Sequence, residues 1–267
     1  MKKLILFAVV IILSLSLIAC DPAPKVDGDA DTSLDYITSK GEIIMGLDDG
    51  FPPMGFRDEG GNIVGFDVDI AQAVTDKMGL KLKLQKIDWS AKEMELDSKN
   101  IDVIWNGYTI TEKRKEMVLF TDAYMENTQV VIVPIDSDIN TLEDLYGKKV
   151  AVQNGSSAQE ALAENEELIA QITQIDFDDN VTAMMDVSIG ATDALAVDIV
   201  VAEYYMTKDP GKFRILDETL APEEFGIGFR KGEQAFFDAF MKAYNELKAD
   251  GTLKAISEKW FGRDVIK

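Results

Sequence analysis

The sequence predicts an α/β fold in which mainly parallel strands are flanked by helices. From about Lys40 to Leu216, short apolar runs of strand length alternate with segments whose apolar residues recur at helical spacing. At Gly46–Phe56, Trp105–Arg114 and Gln153–Gln159, such a run is followed by a polar turn and a helical pattern. In open α/β sheets these turns lie at the carboxyl ends of strands, where ligands bind. We therefore expect the three turns to face one cleft.

The first residues of the chain have the composition of a leader peptide. Lys2 and Lys3 form a basic start, and Leu4–Ile18 is an apolar run interrupted only by two serines. This run is short for a helix that crosses a hydrocarbon core of about 30 Å. We expect residues 1–19 to be removed as a signal peptide.

Cys20 is the only cysteine of the chain and stands at the end of this leader. The segment Leu17-Ile18-Ala19-Cys20 resembles the lipobox of bacterial lipoproteins, in which the leader is cut before the cysteine and the cysteine carries lipid. The alternative is a cysteine that falls in the leader by chance. The residues that follow are small, polar and rich in aspartate, which is typical of a flexible tether. We place lipidated Cys20 and its tether at residues 20–39.

Seven apolar runs after the tether predict β-strands, because their length and β-branched content suit buried strands. They are Glu42–Leu47, Lys81–Ile87, Ile101–Trp105, Gln129–Pro134, Lys149–Gln153, Ile172–Phe177 and Ala194–Val197.

Two helices between these strands carry start signals. Asp67 can cap one helix, and Ser156 or Ser157 can cap another. The first helix has an apolar face of Ile70, Val74 and Met78 and is predicted to end at Gly79. Near the end of the chain, four apolar residues at helical spacing predict a core stripe rather than a binding site: Phe236, Phe240, Tyr244 and Leu247.

The composition excludes several classes of function. The chain has 27 basic and 48 acidic residues and a net charge of −21, which argues against nucleic acid and anionic lipid headgroups as partners. The simplest role of this charge is solubility. With no histidine and one cysteine, Ser-His-Asp catalysis, Cys-His catalysis, histidine-ligated zinc and internal disulfides are excluded. We expect no metal site, no cofactor and no enzymatic activity.

The segment Ile101–Arg114 contains the clearest candidate binding residues. Its apolar run is followed by Asn106 and Gly107, and the glycine is predicted to break the strand and to let a ligand approach the backbone. Thr109 offers a hydroxyl, and Arg114 offers a planar guanidinium that can hold a carboxylate with two charge-assisted hydrogen bonds. Taken alone, the segment fits a solvated turn with a surface arginine equally well.

Five short motifs are spaced along the chain in a fixed order: GFPPMGF at 50–56, VGFDVD at 64–69, TITEKR at 109–114, VQNGSS at 152–157 and DGT at 250–252. They resemble the extracellular solute-binding proteins that deliver polar amino acids to ABC importers. The resemblance implies two α/β lobes joined by two hinge segments, which close on the ligand. Lobe 1 would comprise residues 40–127 and 227–267, and lobe 2 residues 128–226. The hinges would lie near Glu126–Val130 and Glu224–Gly228.

The resemblance also implies roles for individual residues. Arg114 and Thr109 would bind the α-carboxylate of an amino acid, and Gly107 and Ser157 would add backbone or hydroxyl donors. Asp198 would accept from the α-ammonium, so that one fixed cation and one fixed anion bind the two charges of the ligand. From the residues alone, Asp198 and Ser157 can instead be helix caps.

Five positions would contact the ligand side chain by the same resemblance: Asp48, Phe51, Trp89, Asn106 and Gln153. Phe51 and Trp89 would form aromatic walls, which suit a flat or cationic group, and Asp48 would add an anion. This set favours arginine, lysine or another polar amino acid over an aliphatic one. Met54 and the Trp105-Asn106-Gly107 step depart from the family pattern, which leaves the substrate open.

We therefore expect a monomeric, lipid-anchored receptor that captures an amino acid and delivers it to the permease of an ABC transporter. One alternative is a cyclohexadienyl-type dehydratase for cyclic carboxylic acids on the same fold. It would use Arg114 and would also need a general acid, for which Asp48 is the candidate. A third hypothesis is the sensing domain of a kinase or channel, in which transmembrane and signalling segments normally follow, whereas this chain ends at Lys267.

Overall fold

The structure is a computed structural model that describes residues 30–267. All of its described helices and strands lie in one compact unit, Asp31–Lys267, which contains its own buried apolar clusters. We expect this unit to fold without the residues that precede it. Within this range no helix has both the length and the apolar character needed to cross a membrane. The predicted signal peptide, Cys20 and the first part of the tether lie outside the described residues.

The described strands are β1 Glu42–Leu47, β2 Gly50–Phe51, β3 Gly55–Arg57, β4 Ile63–Val64, β5 Lys81–Lys86, β6 Val103–Thr109, β7 Val118–Phe120, β8 Met125–Pro134, β9 Lys149–Gln153, β10 Thr173–Phe177, β11 Ala194–Asp198 and β12 Phe213–Arg230. The described helices are α1 Ser33–Lys40, α2 Phe66–Met78, α3 Lys92–Asp97, α4 Glu112–Met117, α5 Ser157–Glu164, α6 Glu166–Ile169, α7 Asn180–Ser188, α8 Ile199–Lys208, α9 Gln234–Ala249 and α10 Thr252–Phe261. Short 3₁₀ turns lie at Trp89–Ala91 and Glu143–Leu145.

Each of the seven predicted strands is present, and β1 and β9 have the predicted bounds. The main difference is in β6. The sequence predicts that Gly107 ends this strand, whereas β6 continues through Gly107 to Thr109. The glycine adopts φ +57°, which side chains other than glycine rarely tolerate, and it therefore bends the strand without ending it.

The main sheet is mixed rather than mainly parallel. Its strand order is β10-β9-β11-β8-β12-β6-β1-β5, with β7 paired to β12. Parallel pairs lie toward the two ends, where β1 pairs with β5 and β6, and β9 pairs with β10 and β11. In the middle, β8 and β12 pair in antiparallel fashion with each other and with their neighbours. The alternation of strands and helices predicts the parallel ends but not this antiparallel centre.

Strand β12 connects the two halves of this sheet. It is 18 residues long, pairs with β8 from Phe213 to Phe225, and pairs with β6 from Phe225 onward. Phe225 lies opposite Met125, the first residue of β8. The hinges expected near Glu126–Val130 and Glu224–Gly228 overlap this crossing, and the lobe boundaries stay a prediction.

Helix α1 lies where the sequence predicts the end of the tether. Ile37 of this helix is fully buried. The Asp31 carboxylate accepts a hydrogen bond from the Ala235 amide, and the Ser33 hydroxyl accepts one from the Phe236 amide at 3.0 Å. These contacts dock α1 against the start of α9, so the tether ends before about residue 31.

The cap predicted for α2 is wrong. Gly65 occupies the N-cap position, and Asp67 lies fully buried in the first turn. Its carboxylate instead accepts hydrogen bonds from the Gly107 amide at 2.8 Å and from the Tyr124 hydroxyl at 2.9 Å. The long-range partners of Asp67 thus replace the local cap. By contrast, the core stripe predicted on α9 is confirmed, because all four of its residues are buried.

Candidate functional site

Polar side chains converge where β6, β9 and β11 end. Thr109 is the last residue of β6, Ser157 follows the turn after β9, and Asp198 is the last residue of β11. The Thr109 and Ser157 hydroxyl oxygens lie 3.0 Å apart. In a second contact, the Gln153 side chain donates to the Asp48 carboxylate at 2.7 Å. The three polar turns predicted to face one cleft are therefore brought together.

Arg114 is a buried cation in this cleft. It lies in the first turn of α4, whose cap Thr111 accepts a hydrogen bond from the Arg114 amide at 3.2 Å. Its side chain is only 2 % exposed. One terminal nitrogen donates to the Thr109 carbonyl at 3.0 Å, and Tyr108 stacks 5.0 Å from the guanidinium carbon. Among the described residues, the one carboxylate within 4 Å is that of Glu160, at 3.9 Å. Arg114 thus has donors that no protein carboxylate satisfies at hydrogen-bond distance.

Ser156 and Ser157 divide the two roles that the sequence leaves open. The Ser156 hydroxyl caps α5 by accepting from the Gln159 amide at 3.1 Å. The Ser157 hydroxyl is therefore available to the cleft, where it lies close to Thr109 and 3.1 Å from the Gln129 side-chain nitrogen. This arrangement fits the role of Ser157 as a ligand contact.

Gly107 does not offer the donor that the sequence reading gives it. Its amide donates to Asp67 inside the protein. Burial raises the pKa of Asp67 to about 7, although the bonds from Gly107 and Tyr124 act in the opposite direction. What Gly107 provides is space, because a Cβ at this position would lie 2.7 Å from the ring of Phe51. The glycine lets Phe51 pack directly on β6.

Asp198 is held as an acceptor in the cleft rather than as a helix cap. It occupies the N-cap position of α8, but its side chain makes no capping bond. Its carboxylate accepts from the side-chain nitrogens of Asn127 at 2.6 Å and Gln129 at 2.7 Å. Burial is the main cause that raises the pKa of Asp198 to about 8, and the charge of Glu223 is the second.

Glu223 is a site residue that sequence reasoning missed. One oxygen of its carboxylate lies 3.0 Å from the Thr109 hydroxyl, 2.9 Å from the Gln129 nitrogen and 3.2 Å from the Ser157 hydroxyl. Glu223 lies beside a second glutamate on β12, and no local pattern distinguishes the two. Asn127 and Gln129 were also missed, although their spacing of two residues on a strand places both on one face.

The other end of the cleft is built around Asp48. Its carboxylate accepts from the Gly50 amide at 2.9 Å and from Gln153, and the Gln153 oxygen accepts from Asn180 at 2.8 Å. The Asn106 oxygen accepts from the Asp48 amide at 3.0 Å. Burial raises the pKa of Asp48 to about 6, against the effect of its hydrogen bonds. Asp48, Asn106 and Gln153 therefore form one hydrogen-bonded network.

The two predicted aromatic walls are both buried, Phe51 at 5 % exposure and Trp89 at 7 %. Trp89 stands edge-on to Tyr108, with ring centres 5.9 Å apart, and lies beneath the ammonium of Lys92. Phe51 packs against Gly107 of β6. Trp105, which the sequence assigns to the core, is fully buried.

The turn at Gly155 closes against the opposite wall of the cleft. The Lys92 ammonium donates to the Gly155 carbonyl at 3.0 Å, and an Arg114 nitrogen lies 3.5 Å from the same oxygen. A Cβ at Gly155 would lie 2.7 Å from the Cα of Ser90. Burial lowers the pKa of Lys92 to about 8, with Arg114 as the next cause. This contact therefore depends on the absence of a side chain at residue 155.

The chain has extensive similarity to proteins of known role. Residues 43–263 match the model of bacterial extracellular solute-binding proteins, family 3. The chain is 34 % identical over 236 residues to the L-cystine-binding protein TcyJ of Escherichia coli strain K12, covering 88 % of each. It is 32 % identical to the arginine-binding extracellular protein ArtP of Bacillus subtilis strain 168, covering 98 % of each.

A solved structure shows the same fold. A substrate-binding protein of an ABC uptake transporter from Streptococcus pneumoniae, with bound histidine, superposes with a TM-score of 0.84 at 35 % identity. The match covers 89 % of this chain and 99 % of that one. These relatives are named as binding proteins rather than enzymes, in agreement with the expectation that this chain is not an enzyme. The match to the family model spans most of the compact unit, and the fold is the two-lobed α/β arrangement that the sequence motifs imply. The chain belongs to the bacterial extracellular solute-binding proteins of family 3.

Proposed function

We propose that the protein binds a free polar amino acid outside the cytoplasmic membrane and delivers it to the permease of an ABC importer. The observation that carries this proposal is Arg114, a guanidinium at 2 % exposure whose nearest carboxylate lies 3.9 Å away. A buried cation without a close anion is unfavourable, and a ligand carboxylate would supply that anion. Asp198 is its counterpart, a buried carboxylate without a cationic partner in the described hydrogen bonds.

The ligand carboxylate would bind Arg114 together with the hydroxyls of Thr109 and Ser157, and the ligand ammonium would bind Asp198. Both charges then lie in a buried cleft, where electrostatic interactions are stronger than in water. The hydroxyls can redirect their protons toward a ligand, because a hydroxyl rotates freely. Binding would close the two lobes, with lobe 1 made of residues 40–127 and 227–267 and lobe 2 of residues 128–226.

The side-chain end favours a polar ligand, including a cationic one. Asp48 supplies a buried carboxylate, Phe51 and Trp89 supply aromatic surface, and Asn106 and Gln153 supply amides. The relatives agree with this range, because they are named for cystine, arginine and histidine.

Lipid on Cys20 would hold the protein at the outer face of the cytoplasmic membrane. We propose that the protein acts there as a monomer. A Cys20→Ser variant tests the anchor in cells. We expect the wild type to incorporate a labelled fatty acid and the variant to incorporate none. Equal labelling of both proteins would contradict lipidation.

Thermal unfolding in the presence of single amino acids tests the binding function. The form lacking residues 1–20 retains the whole compact unit and is suited to a panel of the common amino acids and L-cystine. A ligand at a hundred times its dissociation constant should raise the free energy of unfolding by about 2.7 kcal/mol. No shift with any member of the panel would contradict the proposal.

A further inference from the structure

We propose that Glu223 is a second anion for the ligand ammonium and acts together with Asp198. The inference rests on the proposed function and deepens it, because it adds a binding residue from the strand that crosses between the lobes. Two carboxylates would then flank one ammonium group.

The two carboxylates approach the same two amides. The Asn127 nitrogen lies 2.6 Å from Asp198 and 3.1 Å from Glu223. The Gln129 nitrogen lies 2.7 Å from Asp198 and 2.9 Å from Glu223. Each nitrogen thus donates to both carboxylates, and the carboxylates of β11 and β12 face one small region beside β8.

This region has more acceptors than donors. The side-chain oxygens of Asn127 and Gln129 are buried and have no hydrogen-bond partner among the described residues. Turning either amide over would not help, because its oxygen would then face the two carboxylates. An ionised carboxylate only accepts, so the unmet requirement is for donors. A primary ammonium brings three N–H groups and a positive charge, which matches that requirement.

The position of Arg114 separates the two ends of the ligand head group. Arg114 donates to the Thr109 carbonyl, whereas Glu223 accepts from the Thr109 hydroxyl. Among the described residues, no hydrogen bond or ion pair joins Arg114 to Glu223. Glu223 therefore does not replace the ligand carboxylate at Arg114, and the two can bind opposite ends of the same amino acid.

Glu223 is also accessible from solvent. Glu223 and Asn127 both line a cavity of about 580 Å³, together with Ile110 and Ile199. An amino acid that enters through this cavity meets Glu223 before the more deeply buried Asp198. The neighbouring Glu224 lines the same cavity, but its carboxylate pairs with Lys267 instead.

The pair also predicts a proton exchange. Burial and the charge of Glu223 raise the pKa of Asp198. The other hydrogen-bond partners of the two carboxylates do not titrate near neutral pH. They are the amides of Asn127 and Gln129 and the hydroxyls of Thr109 and Ser157. Arg114, bonded to the Thr109 carbonyl, is the nearby cation. Asp198 in the empty cleft therefore retains a proton near neutral pH, and the arriving ammonium replaces it. Affinity should rise between pH 6 and pH 8.

Isothermal titration calorimetry of the form lacking residues 1–20 tests this assignment, with L-arginine, L-histidine and L-cystine as probes. In phosphate and in Tris at pH 7, the wild type should release close to one proton per bound amino acid. Glu223→Gln keeps the shape and removes the charge. It should weaken binding by about ten- to a hundredfold and reduce the proton release. Glu203→Gln is the matched control, because the exposed Glu203 of α8 makes no side-chain hydrogen bond or ion pair in the described part of the chain, and it should change the dissociation constant by less than about twofold.

A second variant guards against a folding defect in Glu223→Gln. Glu223→Asp keeps the charge on a shorter side chain, and it should retain proton release with intermediate affinity. Binding by Glu223→Gln as tight as the wild type, or tighter, would overturn the assignment, and so would unchanged proton release. These results leave the proposed function intact. If no amino acid binds the wild type, the proposed function and this inference both fail.

Discussion

The two ends of the candidate cleft differ in the charged side chains that they contain. At the head-group end, formed by Arg114, Thr109, Ser157, Asp198 and Glu223, charges lack opposite charges at hydrogen-bond distance. At the side-chain end, formed by Asp48, Asn106, Gln153 and their neighbours, Asp48 is the one charged group of the three, and its carboxylate has two donors. Arg114 and Asp198 at one end and Asp48 at the other are all buried, so burial alone does not distinguish the two ends.

This difference explains why the structure identifies the ligand class more firmly than the individual ligand. Unsatisfied charges in a buried region require a partner of defined charge and spacing. The side-chain end has one carboxylate with two donors, and its Asn106 side-chain nitrogen has no partner among the described residues, so several polar side chains can match it. The head-group end therefore specifies an amino acid, and the side-chain end leaves its side chain open among polar groups.

The largest effect should come from removing the cation of the head-group end. Arg114→Ala leaves the ligand carboxylate without its charged partner, and we expect a loss of about 2–5 kcal/mol in binding free energy. Calorimetry with the amino acid that binds the wild type measures this loss. Lys113→Ala is the control, because its side chain is 75 % exposed, and it should bind like the wild type. Equal affinities of both variants for the ligand would contradict the proposed contact between Arg114 and the ligand carboxylate.

Preventing closure of the cleft should weaken ligand binding at both ends of the cleft. Gly155→Ala would place a Cβ 2.7 Å from the Ser90 backbone, and we expect a loss of about 1–3 kcal/mol in ligand binding. Gly190→Ala is the matched control, because Gly190 has φ +73° against +70° for Gly155 and no atom within 4 Å of a Cβ. Similar loss in both variants would show that backbone strain, rather than closure, is responsible.

The pH dependence of stability should distinguish the ends without any ligand. Asp198 has a pKa raised to about 8, so the folded state holds a proton that the unfolded chain has released. The contribution of Asp198 to the free energy of unfolding is complete below 3.8, the pKa of its carboxyl in the unfolded chain. This contribution is lost as the pH rises through about 8, the pKa in the folded state. Urea unfolding of the ligand-free wild type should therefore show falling stability between pH 7 and pH 8, by up to about 1.4 kcal/mol per pH unit from this group.

Two substitutions assign that slope. Asp198→Asn should flatten it between pH 7 and pH 8. Asp48→Asn should leave it nearly unchanged there, because the pKa of Asp48 is raised only to about 6 and its contribution is lost at lower pH. Asp67, whose pKa is raised to about 7, contributes part of the decrease in stability with pH in both variants. A flattened slope in Asp48→Asn alone would reverse the comparison of the two ends.

The smallest effect should come from the side-chain end. Asp48→Asn keeps the size of the side chain and removes its charge, and we expect about 1 kcal/mol less affinity for arginine or lysine. Binding of a neutral amino acid such as glutamine should change less. Calorimetry with one cationic and one neutral ligand measures the difference. An equal change for both would indicate that Asp48 only supports Gln153.

The residues that the sequence predicts and those that it misses differ in the range of their contacts. Thr109 and Asp198 lie at strand ends and Ser157 follows the turn after one, so local patterns and sheet geometry bring them together. Glu223 depends on the pairing of β12 with β8, which joins residues 94 positions apart at its contact with Gln129. Asp67 looks like a helix cap locally, and only the tertiary fold gives it Gly107 as a partner. Short-range patterns contain no information about such pairings.

A crystal structure of the form lacking residues 1–20, grown with the amino acid that stabilises it most, would show how the charged residues of the cleft bind the two charges of the ligand. We expect the ligand carboxylate within about 3 Å of the Arg114 guanidinium and the ligand ammonium within about 3 Å of both Asp198 and Glu223. A ligand bound with its ammonium away from this carboxylate pair, or outside the cleft, would contradict the account.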